Sequence, residues 1–192
     1  MLQGLAEQFL RITDNVSVID GAGLLQENVC GVKYYSRNAA PELVVQIFDE
    51  LVKRNNTYKS ADTVTDPADY SREYYVITGL PSIMSGLENE GRDKLNVLLE
   101  KNELPYNVRF ILCGTVKDLN YYTSAPWYKR HITGFDGIWV GDGISDQYLL
   151  KIGKITGELY SELPEGFGYV VKKGRPVLTK LISGEQSEVQ ER

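Results

Sequence analysis

The positions best suited to chemistry in this chain stand where an apolar run meets a glycine. The clearest is Glu73-Tyr74-Tyr75-Val76-Ile77-Thr78-Gly79-Leu80-Pro81, and a shorter one is Val16-Ser17-Val18-Ile19-Asp20-Gly21. A β-branched and aromatic run flanked by helical patterns reads as a central strand of a parallel sheet, buried on both faces. The carboxyl end of such a strand faces the ligand crevice of an open α/β sheet. An acid there can serve a metal ion or position an attacking water for phosphoryl transfer. Position 78 carries a hydroxyl instead, and a threonine is neither a carboxylate base nor a good ligand for hydrated magnesium.

Other reactive side chains are sparse. His131 is the single histidine, which excludes multi-histidine metal sites, and the two cysteines, Cys30 and Cys113, are too far apart in sequence to suggest zinc. A Cys113–His131 nucleophilic pair lacks an orienting third residue, and Cys113 falls inside an apolar strand pattern where a buried thiol is the simpler reading. Asp20, Asp136, Asp142 and Asp146 are scattered acids whose ordinary roles are turns and caps. No G-x-x-x-x-G-K-[ST] loop occurs, since Gly153-Lys154 lacks the rest of the motif, and Gly166-Phe167-Gly168 enters a strand rather than a helix. Tyr121, Tyr122, Trp127 and Tyr128 form a dense aromatic cluster. Two adjacent aromatic pairs cannot all point inward from a loop or short helix, and such residues are preferred anchors for a partner.

These residues need a scaffold, and the composition supplies one. With 192 residues, 42% hydrophobic and 24% charged, the chain has the length and balance of one soluble globular domain, here placed at residues 1–183 with a frayed polar tail over 184–192. A net charge of −5 and only short basic clusters, Lys172-Lys173-Gly174-Arg175 the densest, argue against nucleic acid as a partner. Two cysteines imply a reducing, cytoplasmic setting. No signal peptide or apolar run of about 18 residues is present, so any membrane attachment would come through the rest of a longer protein.

In chain order, Met1 to Ile12 reads as a helix already under way, which suggests a segment of a larger polypeptide. The strand ending at Asp20 follows, then an irregular stretch with the apolar piece Cys30-Gly31-Val32-Lys33-Tyr34-Tyr35. Pro41 opens a helix whose apolar face is Leu43, Val44, Ile47, Phe48, Leu51 and Val52. Residues 55–72 read as a polar loop, and 82–92 as a polar approach to a helix carrying Leu95, Leu98 and Leu99. Asn107 to Gly114 is a second central strand. Gly137 to Gly141, Gly166 to Val171 and Val177 to Ile182 are short strands, the last two joined at Lys173-Gly174. The expected fold is α/β: a mostly parallel sheet of the P-loop NTPase type flanked by helices, with an antiparallel C-terminal hairpin at its edge.

The order of these pieces resembles the C-terminal, third ATPase-like domain of the EssC-type coupling proteins of type VIIb secretion, in the FtsK/SpoIIIE family of P-loop motor ATPases. Met1 to Ile12 is similar to the helix after that family's phosphate loop. Tyr74-Tyr75-Val76-Ile77-Thr78 stands where the family has hydrophobic residues closed by an acid, and Val108 to Gly114 resembles its sensor strand. Gly137-Ile138-Trp139-Val140-Gly141-Asp142-Gly143 with Asp146-Gln147 resembles the "I-W-x-G … D-Q" region. Gly166 to Val171 resembles the closing "G-x-G-Y" hairpin.

The resemblance implies a degenerate ATPase fold, with Thr78 at the acid position, Gly79 in place of the acid that often follows, and the first strand and phosphate loop outside the chain. It implies no catalytic residue and no cofactor in this segment, with Mg-ATP relevant only if the phosphate loop of the longer protein is intact. The function implied is recognition of secreted WXG100-type substrates and regulation of a translocation motor. Tyr121, Tyr122, Trp127 and Tyr128 are then the candidate substrate contacts. Other secretion proteins, a homo-hexameric motor and the cytoplasmic side of a membrane complete the expected setting. The competing reading is an active Mg-ATP-hydrolysing motor domain whose acid is Asp20 or comes from a neighbouring protomer, and a third is a purely architectural domain.

Overall fold

A computed structural model describes residues 15–25, 31–60, 72–101 and 106–181. The helix expected over Met1–Ile12, Cys30, residues 61–71 of the expected loop and the 184–192 tail lie outside the described residues. The described residues fall into two compact units, 15–133 and 134–181.

The first unit is built on four parallel strands, β1 (Val16–Asp20), β2 (Lys33–Ser36), β3 (Glu73–Thr78) and β4 (Val108–Cys113), in the order β2-β1-β3-β4. The register sets Asp20 beside Thr78 and Thr78 beside Cys113, so three chemically distinct residues close three adjacent strands. Period-two alternation sends Tyr75, Ile77, Ile19 and Phe110 to one face, where they join the main core. Val16, Val18 and Val76 on the opposite face are also buried, with Asp20 and Thr78. This double burial explains why the strands read as apolar runs rather than as alternation.

The helices packed on the first face are α1 (Ala40–Ser60), α2 (Leu80–Gly86), α3 (Asn89–Glu100) and α5 (Pro126–His131), and the short α4 (Val116–Asn120) follows β4. Leu43, Val44, Ile47 and Leu51 of α1 and Leu95, Leu98 and Leu99 of α3 enter the same core. Two of the boundaries that differ from expectation have a clear physical cause. Residues 55–60 continue α1 rather than starting the loop, because Arg54 is buried and tied to the sheet, which anchors the polar last turns. Residues 80–86 are helical rather than an irregular approach: Gly79 turns the chain in a left-handed conformation, Pro81 fits the first turn, and Leu80 and Ile83 bury one face.

The second unit holds β5 (Gly137–Val140), β6 (Phe167–Lys172) and β7 (Arg175–Lys180), antiparallel in that order. The terminal hairpin therefore forms its own sheet with β5 rather than an added edge of the parallel one. Its turn, Lys173-Gly174, has positive φ at both residues, the geometry that matches strand twist in a two-residue loop. The Lys173 N–H donates to Asp136 Oδ1 at 3.0 Å, which holds that conformation. Ile144, Leu159, Tyr169 and Val171 form the small core.

Candidate functional site

Asp20 and Thr78 meet at the carboxyl edge of the parallel sheet. The Thr78 hydroxyl donates to Asp20 Oδ1 at 2.6 Å, and Thr78 and Asp20 are 1% and 2% exposed respectively. Oδ1 also accepts the Leu24 N–H at 3.1 Å, while Oδ2 accepts the Leu25 N–H at 2.8 Å and the Tyr34 hydroxyl at 3.5 Å. Thr78 Oγ1 in turn accepts the Ala22 N–H at 3.4 Å. Burial alone would raise the Asp20 carboxyl. The bonds from Thr78 and from the Leu25, Leu24 and Gly23 amides outweigh it, and the carboxyl is held below its ordinary value. A carboxylate offers about four acceptor positions, and here the Thr78 and Tyr34 hydroxyls and the amides of the following turn engage them.

The chain beyond these two residues closes over them. The Gly21 N–H donates to the Thr78 carbonyl at 3.0 Å. A Cβ at Gly21 would lie 2.7 Å from that oxygen, and one at Gly79 would lie 2.5 Å from the Ala22 nitrogen, so only glycine permits the two strand exits to approach this closely. Asp20 thus acts here as the buried cap of the 21–25 turn, and Thr78 as the donor that joins β3 to it. The third strand end continues into α4 through a capping box: Thr115 Oγ1 accepts the Asp118 N–H at 3.2 Å, and Asp118 Oδ2 accepts the Thr115 N–H at 3.3 Å.

The opposite end of the sheet holds an arrangement that sequence reading did not find. Arg54 forms an ion pair with Glu73 and another with Glu50 at 3.1 Å, and donates to the Tyr106 carbonyl at 2.9 Å. Tyr75 donates to the other Glu73 oxygen at 2.7 Å. Lys33, Tyr35, Glu50, Glu73 and Tyr75 line a partly open cavity of about 140 Å³ beside this network. The only signal was a charged residue, Arg54, on the otherwise apolar side of a helix.

The aromatic cluster divides sharply. Tyr122, Trp127 and Tyr128 are buried and pack in sequence as tilted ring pairs, with centroids 5.6 and 5.8 Å apart, and Trp127 Nε1 donates to Asn96 Oδ1 at 3.1 Å. Tyr121, 78% exposed, rests edge-on against Tyr122 at 5.0 Å. As folded, Tyr121 is the member a partner can touch broadly. Burial pushes the Cys113 thiol up to about 11, and His131 Nε2 is bonded to the Glu100 carbonyl at 2.7 Å. Asp136 caps the hairpin turn as its neighbouring glycine suggested. In the second unit, Gln147 ties a turn together, donating to the Ile144 and Leu150 carbonyls and accepting the Leu150 N–H at 2.7 Å. Among the described residues no group of three or more His, Cys, Asp or Glu could hold a metal ion, and no helix is long and apolar enough to cross a membrane.

No protein-family profile and no curated protein sequence matches the chain. Solved structures do. ATPases 2 and 3 of EssC from Geobacillus thermodenitrificans superpose with a TM-score of 0.63 at 14% identity, covering 92% of this chain and 33% of that one. ATPases 2 and 3 of Thermomonospora curvata EccC, in complex with a signal sequence peptide, give 0.56 at 16% identity over 90% and 31%. The cytoplasmic domain of EssC gives 0.54 at 17% identity over 88% and 34%. The chain carries the fold of these type VII secretion ATPase domains and spans about a third of the length of each structure.

Proposed function

We propose that this chain is a degenerate ATPase-fold domain of a type VII secretion motor, one that recognises secreted substrates and regulates the motor instead of hydrolysing nucleotide at its own strand end. The observation that carries this reading is the closed carboxyl edge. A hydrated magnesium ion on a triphosphate needs a carboxylate with lone pairs free. Asp20, the one acid closing a strand among the described residues, has its acceptor positions engaged by Thr78, Leu24, Leu25 and Tyr34. Thr78 offers no carboxylate, and the Gly21–Gly79 contact leaves no gap for a ligand between the strand exits. The residues present do not fit the ion, and no step of hydrolysis is assigned to them.

Substrate recognition is supported by Thermomonospora curvata EccC, whose ATPases 2 and 3 share this fold and were solved in complex with a signal sequence peptide. The partners in this reading are WXG100-type proteins and other secretion components, engaged by a hexameric motor on the cytoplasmic side of a membrane. Tyr121 is the aromatic group placed to contribute. The test is a titration of the chain with a fluorescent C-terminal peptide from a cognate secreted protein. Saturable binding that Tyr121→Ala weakens is the expected result, and no association with either peptide or intact substrate overturns the reading.

The competing reading is a working Mg-ATPase with Asp20 as its acid. What favours it is that Asp20 is held ionised at the crevice edge. The longer protein settles the choice: turnover abolished by Asp20→Asn, with the fold retained, would establish hydrolysis at this edge.

A further inference from the structure

The small antiparallel sheet turns an apolar face to solvent. Pleating sends Trp139, Tyr169 and Val171 toward the core of the second unit, and Ile138, Val140, Val170 and Val177 the other way. Ile138, Val170 and Val177 are direct cross-strand partners, so they form one unbroken row, 51%, 37% and 59% exposed respectively. The next row is Val140, Gly168 and Thr179. Gly168 sits under the Trp139 carbonyl, where a Cβ would come within 2.2 Å, and the Leu181 side chain covers it, so this row ends the exposed apolar strip at its centre.

On the other flank Lys172 stands directly opposite Arg175, both exposed and on this same face. Like charges paired across a hairpin destabilise it. Among the described residues neither cation makes an ion pair. This two-cation edge belongs to a chain whose net charge is −5.

We infer that this face is a docking site for an acidic, apolar segment of a partner polypeptide. Its apolar side chains cover the Ile138–Val170–Val177 row, and a carboxylate sits between Lys172 and Arg175, relieving their repulsion. The inference rests on the proposed function only in taking a polypeptide as the partner. Charge complementarity selects the occupant: a basic segment would add to the repulsion between Lys172 and Arg175, and an acidic one relieves it.

The test uses the intact chain and two labelled peptides, one alternating leucine with glutamate and one alternating leucine with lysine. Anisotropy should report saturable binding of the glutamate peptide alone. The Lys172→Glu/Arg175→Glu variant should weaken it by about tenfold or more, as expected for a charge pair set against its complement. Val177→Ser should weaken it without changing which peptide is preferred. All three positions are exposed, and circular dichroism checks that the variants fold. Glutamate-peptide binding unchanged in both variants overturns the inference. Self-association removed by Val177→Asp in sedimentation also overturns it, by giving the face to a second copy. Should a secreted substrate fail to bind while the glutamate peptide binds here, the proposed function falls and this site stands. A secreted substrate that binds while the glutamate peptide does not gives the reverse.

Discussion

The two ends of the parallel sheet hold an acid each, Asp20 fully buried and Glu73 partly, and they stabilise it by opposite means. At the carboxyl end Asp20 has no cation as a partner among the described residues. Its charge is spread over a hydroxyl and amides of the turn that follows, so the acid organises the local chain. At the amino end Glu73 faces a buried guanidinium, and Arg54 links α1, β3 and the Tyr106 carbonyl preceding β4 in one ionic network. The first arrangement is short-range and shape-limited, closed by glycines. The second is long-range and charge-limited, and has open volume beside it. The end of the sheet where ligands bind in this class of fold is thus the tightly closed one.

The contrast is easiest to break at the amino end. Arg54→Met should cost about 4 kcal/mol in urea unfolding at neutral pH, because it strands the partly buried Glu73 carboxylate without its counter-ion. The double variant Arg54→Met/Glu73→Gln should recover a large part of that loss. If the single and double variants are equally unstable, packing rather than charge holds this end together. At the carboxyl end the corresponding lesion is steric. Gly79→Ala puts a Cβ 2.5 Å from the Ala22 nitrogen at a φ of +57°, and should cost about 3 kcal/mol through clash and left-handed strain. A near-neutral result would mean that the two strand exits are not in enforced contact.

How far these ends could be read from the residues follows from the range of the forces involved. The strands ending at Asp20, Thr78 and Cys113 were legible because double burial leaves unbroken apolar runs, and the hairpin was legible because Lys173-Gly174 is turn chemistry. The helical residues 80–86 were hidden because Gly79 and Pro81 look like loop residues until the buried Leu80 and Ile83 are placed on a neighbouring core. The last turns of α1 were hidden because a single buried contact, Arg54 to Glu73, offsets a polar sequence. The pairing of Asp20 with Thr78 spans 58 positions and depends on strand order, which local patterns do not encode. The aromatic cluster was legible as a cluster. Its division into three packed rings and one exposed ring was not, since that depends on which face α3 covers.

A smaller effect isolates the hydrogen bond itself. Thr78→Val keeps the shape but removes the donor to Asp20 and the acceptor for the Ala22 N–H, and should cost about 2 kcal/mol, the usual penalty for leaving a buried polar group short of a partner. Because the Asp20 carboxyl is held below its ordinary value, its bonds stabilise the fold above about pH 4 and lose that contribution as pH falls through the lowered value. Thr78→Val should therefore flatten the acid limb of a stability-versus-pH curve while leaving the alkaline limb in place. An unchanged acid limb would show that other carboxyls set it.

The mildest variant sharpens the comparison from the other side. Tyr75 loses solvent by burial and donates to Glu73, and both effects push its hydroxyl well above the ordinary tyrosine value. A group raised on folding contributes stability in full below its unfolded pKa, about 10, and that contribution is lost as pH rises beyond it toward the folded value. Tyr75→Phe removes one hydrogen bond and should cost only about 1 kcal/mol at pH 7. Above pH 10 the gap between variant and parent should narrow, since the variant has no buried phenol to ionise. Tyr122, pushed up to about 12 by burial, remains in both proteins and leaves a shallower alkaline loss as the baseline. Thr78→Val should bend the curve in acid, and Tyr75→Phe should bend it in alkali. Should both variants alter the same limb, the two ends of the sheet would have to be one coupled electrostatic system, and the separation drawn between them would fail.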